Sequence, residues 1–183
     1  MNRMGSLAML TLSVILSIAS NAQPAADALE YRIKAAFVCK FAGYVEWPPQ
    51  AFADRDSPIV IGILGSDAIV DEIARTAAGL AVDGRGLSVR RFLRGEPLGG
   101  AHLVYIMGSD DGRVSEAVAA LKGLPVLIVT ESIRGLASGS MINFVVVDDK
   151  VRFDIAPQAA EASHLKISAR LLGVARLLVG KAS

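Results

Sequence analysis

The stretch that decides the fold is residues 139–179, which read GSMINFVVVDDKVRFDIAPQAAEASHLKISARLLGVARLLV. Ile142–Val147 is a largely apolar, β-branched run, and Lys150–Ile155 alternates polar and apolar residues, so both segments favour strands. Asp148 and Asp149 between them are typical turn residues. This part of the chain therefore predicts an antiparallel hairpin.

Alternation along Lys150–Ile155 predicts that this strand has a polar face and an apolar face. The polar face comprises Lys150, Arg152 and Asp154. The apolar face comprises Val151, Phe153 and Ile155. A strand with one solvated face suits the edge of a sheet, so we expect one strand of the hairpin to lie there.

Two helices after the hairpin are expected to cover its apolar side. Pro157 suits the first position of a short helix, because its fixed φ and missing N–H are tolerated there. A second helix is expected from about Ser168. The apolar residues along one face of that second helix are Leu171, Leu172, Ala175, Leu178 and Val179.

The first residues predict a secretory signal peptide at 1–22, which leaves one domain at 23–183. Arg3 precedes an apolar run at 7–18, and the small residues that a signal peptidase prefers follow it. The run is shorter than the roughly 20 residues that span a membrane. A cleaved signal is therefore favoured over an uncleaved anchor.

The remaining elements predict a single three-layer α/β domain. A helix at 28–43, with Asp27 as its N-cap, precedes the apolar run Ile59–Leu64, which fits a strand buried on both faces. Later patterns predict helices at 68–78 and 114–121 and strands at 87–92, 102–106 and 126–130. With the hairpin added, we expect a mostly parallel sheet of about six strands, a C-terminal antiparallel hairpin and helices on both faces.

Composition argues against several classes of function. Apart from Arg3, the chain carries 18 basic and 18 acidic residues, whereas nucleic-acid binding needs a basic excess. Cys39 is the only cysteine, so no disulfide can form within the chain, and we interpret it as a buried core thiol rather than an intermolecular bridge.

Motifs for catalysis or for cofactors are not apparent. His102 and His164 lack a second ligand at metal-binding spacing, and His102 is interpreted as a capping or packing residue. The turns at 62–67 and 108–110 lack phosphate-loop spacing, and residues 135–139 place serine wrongly for a nucleophile elbow. We therefore predict that the protein is not an enzyme, holds no metal or cofactor, and functions through its surface.

Two candidate surfaces follow from exposed aromatic and charged residues. Trp47 is either a structural plug that seals the start of the sheet or an aromatic anchor for a partner. The edge strand offers Lys150, Arg152 and Phe153 as further partner contacts. Alternatively, Arg152, His164 and Arg170 converge on an anion, as a small-ligand sensor would require.

Several segments resemble the YfiR family of secreted bacterial regulators. They are KAAF at 34–37, VEWP at 45–48, GSMINF at 139–144, VRFDI at 151–155 and LKIS at 165–168. The resemblance covers about 29–179 and implies the same α/β architecture. Two departures are the absence of the family's disulfide cysteines and the presence of Ala156 where the family has a helix-capping Asn.

The resemblance also implies a function. Members of the family are periplasmic repressors that bind the periplasmic domain of an inner-membrane diguanylate cyclase and so restrain cyclic-di-GMP synthesis and biofilm formation. An outer-membrane lipoprotein can sequester the repressor, and homodimers occur. The same resemblance leaves open another membrane partner, such as a sensor kinase or a transport system, with a small ligand or anion as the signal.

Overall fold

The computed structural model describes residues 22–180. The signal peptide expected at 1–22 lies outside the described residues except for Ala22. Among residues 22–180, no helix is long and apolar enough to cross a membrane.

One eight-stranded sheet runs through the domain in the order β10-β8-β7-β6-β5-β2-β4-β3. Its strands are β2 (Ile59–Leu64), β3 (Ala81–Val82), β4 (Arg85–Arg91), β5 (Leu103–Ile106), β6 (Leu127–Thr130), β7 (Ile142–Val147), β8 (Lys150–Ile155) and β10 (Leu177–Leu178). Five neighbouring strands are parallel, namely β4, β2, β5, β6 and β7. Strands β7 and β8 form the antiparallel hairpin. The mostly parallel sheet and the C-terminal hairpin are thus confirmed. The short edge strands β3 and β10 were not expected.

Helices cover both faces of this sheet, as expected. They are α1 (Ala22–Ala42), α2 (Asp67–Ala77), α3 (Asp111–Leu121), α4 (Gly135–Ser138), α5 (Pro157–Glu161) and α6 (Ala169–Leu172). Helices α1 and α2 pack together on one face, and α3, α4 and α5 lie on the other. A second, two-stranded sheet pairs β1 (Val45–Glu46) with β9 (Lys166–Ile167). Because α1 already begins at Ala22, Asp27 lies inside the helix, and its prediction as the N-cap is wrong.

Aromatic packing fixes α1 against the hairpin. The ring of Phe41 lies 5.1 Å from that of Phe153 and 5.7 Å from that of Phe144, between ring centroids. Phe37 approaches Phe153 to 5.3 Å in an edge-on geometry. Because buried aromatic side chains contribute large apolar areas, this cluster is a main source of stability for the hairpin.

The segment that follows α6 differs from the expectation. A single helix was predicted from Ser168 through Val179, but α6 ends at Leu172 and the chain then joins the sheet as β10. The Arg176 amide donates to the Phe153 carbonyl at 2.9 Å, and the Val179 amide donates to the Ile155 carbonyl at 2.7 Å. The open edge of β8 supplies hydrogen-bond partners that a continued helix would not use, so tertiary pairing outweighs the helical spacing.

Asp154 also differs from the expectation, because it is buried rather than solvated. Its side chain follows the polar alternation of β8, yet the residue is only 5% exposed. Arg176 covers it and forms a two-pronged ion pair, with its Nε donating to Asp154 Oδ1 at 2.8 Å. The arginine thus allows a carboxylate to be buried on β8, beside the edge strand β10.

The connection from β4 to β5 crosses one face of the sheet without a helix. Phe92, at its start, lies over Gly62 of β2, where an added Cβ would come within 2.6 Å of the Phe92 ring. Only glycine allows this close approach. A loop rather than a helix therefore covers this part of the sheet.

Candidate functional site

A buried polar network surrounds Glu131, the residue that directly follows β6. Its Oε2 accepts hydrogen bonds from Lys34 Nζ and from the Tyr105 hydroxyl, each at 2.5 Å. Its Oε1 accepts from the Gly108 amide at 2.6 Å. The network lies at the carboxyl ends of β5 and β6, which is where open α/β sheets place their binding sites.

Lys34 joins this network to α1. The residue is 4% exposed, and its ammonium group also pairs with Glu30 at 2.5 Å. Burial acts to lower the pKa of Lys34, but the hydrogen bonds and negative charges of Glu131 and Glu30 outweigh burial and raise it. Lys34 therefore remains charged.

Tyr105 is the neutral member of the network. Burial raises the pKa of Tyr105 well above its usual value, and the negative charge of Glu131 adds to this effect. The hydroxyl thus stays protonated and donates to Glu131. Both oxygens of Glu131 already accept hydrogen bonds from fixed donors. The network therefore suits a structural role, in which it links α1 to the sheet, better than a role in proton transfer.

A cleft of about 480 Å³ opens beside this network. It is bordered by α1, by the loops after β5 and β6, and by β7. Ile133 stands at its rim and is 99% exposed. Within residues 22–180, no group of three or more His, Cys, Asp or Glu side chains is placed to hold a metal ion.

The end of the hairpin projects past the sheet next to this cleft. The ladder between β6 and β7 ends at Thr130 and Asn143, so the rest of β7 pairs with β8 alone in the described part of the chain. Val146 there is 55% exposed. We call this region the hairpin-tip surface, which comprises Ile133, Val146, Val147, Lys150 and Arg152.

Trp47 occupies a structural position. Its indole Nε1 donates to the His102 carbonyl at 3.1 Å, and the Trp47 and His102 rings meet edge to face. The side chain is half-buried, so part of its ring still faces solvent. Both interpretations of Trp47, plug and partner anchor, are compatible with this geometry.

The three edge residues predicted as partner contacts fall into two groups. Lys150 and Arg152 are exposed on the hairpin. Phe153 is only 3% exposed, because its ring packs under α1. Phe153 is therefore not available as a direct partner contact, and the prediction for this residue is corrected.

The predicted anion-binding trio does not come together. Arg170 lines a groove of about 340 Å³ together with Phe153 and α1. Arg152 is the neighbour of Phe153 on a regular strand and so faces the opposite side of the sheet. His164 is exposed just after α5, with a left-handed φ of 59°. Opposite faces of the sheet prevent Arg152 and Arg170 from holding one ligand.

His102 and Cys39 serve packing. Val60 donates its amide proton to His102 Nδ1 and His102 Nε2 lies by the Ala51 carbonyl, both at 3.0 Å, which confirms His102 as a packing residue. Cys39 is buried next to the Ile73 carbonyl, and burial raises the pKa of its thiol to about 11. The interpretation of Cys39 as a core thiol is confirmed.

Glu131 is the site residue that the sequence pattern did not reveal. Its main partner, Lys34, is 97 positions away, and no local motif links the two. One usable signal was a lone carboxylate placed directly after a largely apolar strand, at the edge where α/β sheets bind ligands.

Comparison with known proteins gives one family match. The DUF4154 family model, described as YfiR/HmsC-like, matches residues 31–176. The matched range contains Glu131 and its three donors Lys34, Tyr105 and Gly108, together with the hairpin-tip surface and Trp47. No curated protein matches the chain.

Proposed function

Because the chain belongs to the YfiR/HmsC-like family of regulators of cyclic-di-GMP signalling, we propose that it is a periplasmic repressor of an inner-membrane diguanylate cyclase. The observation that carries the proposal is the family match across nearly all described residues. Repression needs no covalent step. The protein moves the equilibrium of the cyclase towards its inactive state only to the extent that it binds this state more tightly than the active one.

The hairpin-tip surface is the docking site that we propose for the cyclase. It combines exposed apolar side chains, Ile133 and Val146, with the cations Lys150 and Arg152. Val146 lies on the face of the hairpin that α1 covers, and Lys150 and Arg152 lie on the opposite face, so a partner that contacts all of them must enclose the tip of the hairpin. Apolar contacts at the centre with charges at the rim are typical of protein interfaces. A partner with an apolar patch flanked by acidic residues would complement this surface.

Other partners bind elsewhere in this proposal. Trp47 lies outside the hairpin-tip surface and offers an aromatic contact of its own, suited to an outer-membrane lipoprotein or to a second copy of the chain. The alternative function as an anion sensor through Arg152, His164 and Arg170 loses its basis, because Arg152 and Arg170 face opposite sides of the sheet.

Calorimetry tests the proposal. It measures binding of this protein to the purified periplasmic domain of a diguanylate cyclase from the same organism. We expect the exported protein to bind, and Ile133→Asp combined with Val146→Asp to weaken binding about tenfold or more. Leu124→Asp is the matched control, because Leu124 is an exposed leucine away from this surface, and it should change affinity less than about twofold. Absence of binding to every such cyclase of the organism would refute the proposal.

A further inference from the structure

A groove between α1 and α6 has the features of a ligand site. It is bordered by the C-terminal half of α1, by Phe153 of β8, and by α6 with Val174 just after it. Its volume of about 340 Å³ lies within the range of about 300–1,000 Å³ that is typical of small-molecule sites. The groove shares no residue with the cleft beside Glu131 or with the hairpin-tip surface.

The floor of this groove is apolar and well packed. Phe41, Phe153 and Leu171 are buried there. The ring of Phe37 packs on both Phe41 and Phe153, which also pack on each other. Because the floor is held in place by these mutual contacts, it is already formed before a ligand arrives, and this lowers the cost of binding.

Two cations stand at the rim of the groove, Lys40 on α1 and Arg170 on α6. Both side chains are exposed, and the ion pairs within residues 22–180 include neither of them. No Asp or Glu lines the groove. The groove therefore presents two positive charges that its own lining does not offset.

The sequence explains why the charge of Arg170 remains free. Residues 162–183 contain no Asp or Glu. Lys166 and Arg176 from the same segment are engaged in ion pairs with carboxylates of other elements. Arg170 is thus the arginine of this segment that stays available to a ligand.

An apolar strip continues from the groove along the C-terminal segment. Val174, which lines the groove, is 65% exposed. Leu178 is 49% exposed and is in register with Ile155, so it lies on the face of the sheet that bears Phe153. This elongated apolar surface favours a flexible alkyl chain over a compact ring.

Charge complementarity selects the kind of partner. Contact between this groove and the same groove of a second copy would bring like charges together, which costs free energy. An anion with an apolar body instead satisfies both the cations at the rim and the apolar floor.

We propose that the groove binds an aliphatic carboxylate of medium chain length, such as a fatty acid. The carboxylate lies between Lys40 and Arg170, which bind it through charge-assisted hydrogen bonds. The alkyl chain packs on Phe41, Phe153 and Leu171 and leaves the groove past Val174. This inference does not depend on the function proposed above.

Calorimetry and thermal unfolding with octanoate test the site, with 1-octanol as the uncharged analogue. We expect octanoate to bind and to raise the unfolding temperature, and 1-octanol to bind at least about fivefold more weakly. Octanoate supplies the carboxylate and a chain long enough to reach the apolar floor.

Variants at the rim separate this site from unspecific binding. Arg170→Gln and Lys40→Gln should each weaken octanoate binding about fivefold or more, and Arg170→Lys, which keeps the charge, should lose less than Arg170→Gln. Val174→Asp places a negative charge at an exposed position in the groove, so it should keep the fold and prevent binding. The control Lys122→Gln removes an exposed lysine at the end of α3, on the other face of the sheet, and should change the affinity less than about twofold.

Vesicles of phosphatidylglycerol form a second arm, because membrane lipids also combine an anionic group with alkyl chains. Binding of octanoate without flotation of the protein on these vesicles supports a site for a free ligand. Flotation without binding of octanoate would assign the surface to a membrane and overturn the proposal. It is also overturned by no octanoate binding up to about 10 mM, by equal binding of 1-octanol, or by unchanged affinity in Arg170→Gln or Val174→Asp.

Discussion

Lys34 and Glu131 lie 97 residues apart in the sequence, yet their charged groups meet at 2.5 Å in the interior of the domain. The pair ties α1 to the carboxyl end of the sheet. The hydroxyl of Tyr105 and the amide of Gly108 complete the coordination of the carboxylate. Such a satisfied network makes the position of α1 over the hairpin depend on charge as well as on aromatic packing.

Replacing Lys34 should therefore destabilise the domain strongly. The variant Lys34→Met keeps the length of the side chain but leaves Glu131 and Glu30 without their cation. A buried carboxylate that loses its partner costs about 3 kcal/mol or more. We expect the free energy of unfolding, measured with urea, to fall by about that amount.

The ion pair of Lys166 with Glu46 provides the control for this prediction. It spans 3.2 Å between two exposed side chains on the small sheet. Lys166→Met should cost at most about 1 kcal/mol, since exposed pairs contribute little. Equal losses in Lys34→Met and Lys166→Met would contradict the structural role assigned to the Glu131 network.

His102 should make the stability of the domain depend on pH. Burial lowers the pKa of His102, an effect opposed by its bond to the Ala51 carbonyl and reinforced by the charge of Arg85. Below the unfolded pKa of about 6.5, the unfolded chain therefore binds the proton more readily than the native one. Neutral His102 therefore contributes to the free energy of unfolding above about pH 6.5. This contribution is lost as the pH falls through the lower pKa of the native state.

Urea unfolding at about pH 7.5 and about pH 5 measures this dependence. His102→Gln can accept from Val60 and donate to Ala51 but does not titrate, so it should lose less stability on acidification than the wild type. His164→Gln, at the exposed histidine, should behave like the wild type. If His102→Gln and the wild type lose stability equally, His102 does not carry the effect.

Asp154 and Arg176 should hold β10 against β8. Arg176→Gln removes the charge that covers the buried Asp154 carboxylate. We expect the amides of Arg176 and Val179, which donate to β8, to exchange hydrogen faster. The Val89 region of β4 lies at the other end of the sheet and should show unchanged exchange. Unchanged protection at Arg176 and Val179 would show that backbone pairing alone retains β10.

Local patterns were sufficient to predict the central elements. The continuous apolar run of β2 indicates a buried strand, and the apolar residues of α3 are spaced as on one face of a helix. In both segments the spacing of the apolar residues agrees with the residues that are buried. The hairpin was predicted from two strand-like segments joined by the turn residues Asp148 and Asp149, and both residues adopt positive φ in the structure.

Long-range partners explain what the sequence could not reveal. Leu178 fits the predicted helical face as well as a strand, and only the open edge of β8 decides between the two. The alternation of β8 predicted that Asp154 faces solvent. Nothing in the local sequence indicates its burial, because Arg176, which covers it, is 22 positions away and reaches it only when β10 pairs with β8. The same limit hid the pairing of Lys34 with Glu131, since the local partner of Lys34, Glu30, gives no sign of a carboxylate 97 positions away.

Cellular cyclic-di-GMP, measured by mass spectrometry in a strain that lacks the gene, tests the central claim most directly. We expect its concentration to rise on deletion and to return to normal with the wild-type protein or with Leu124→Asp. The combined variant Ile133→Asp and Val146→Asp should accumulate to the same level in the periplasm, yet fail to restore normal cyclic-di-GMP. An unchanged cyclic-di-GMP concentration on deletion would contradict repression of a cyclase, and full restoration by the combined variant would contradict docking through the hairpin-tip surface.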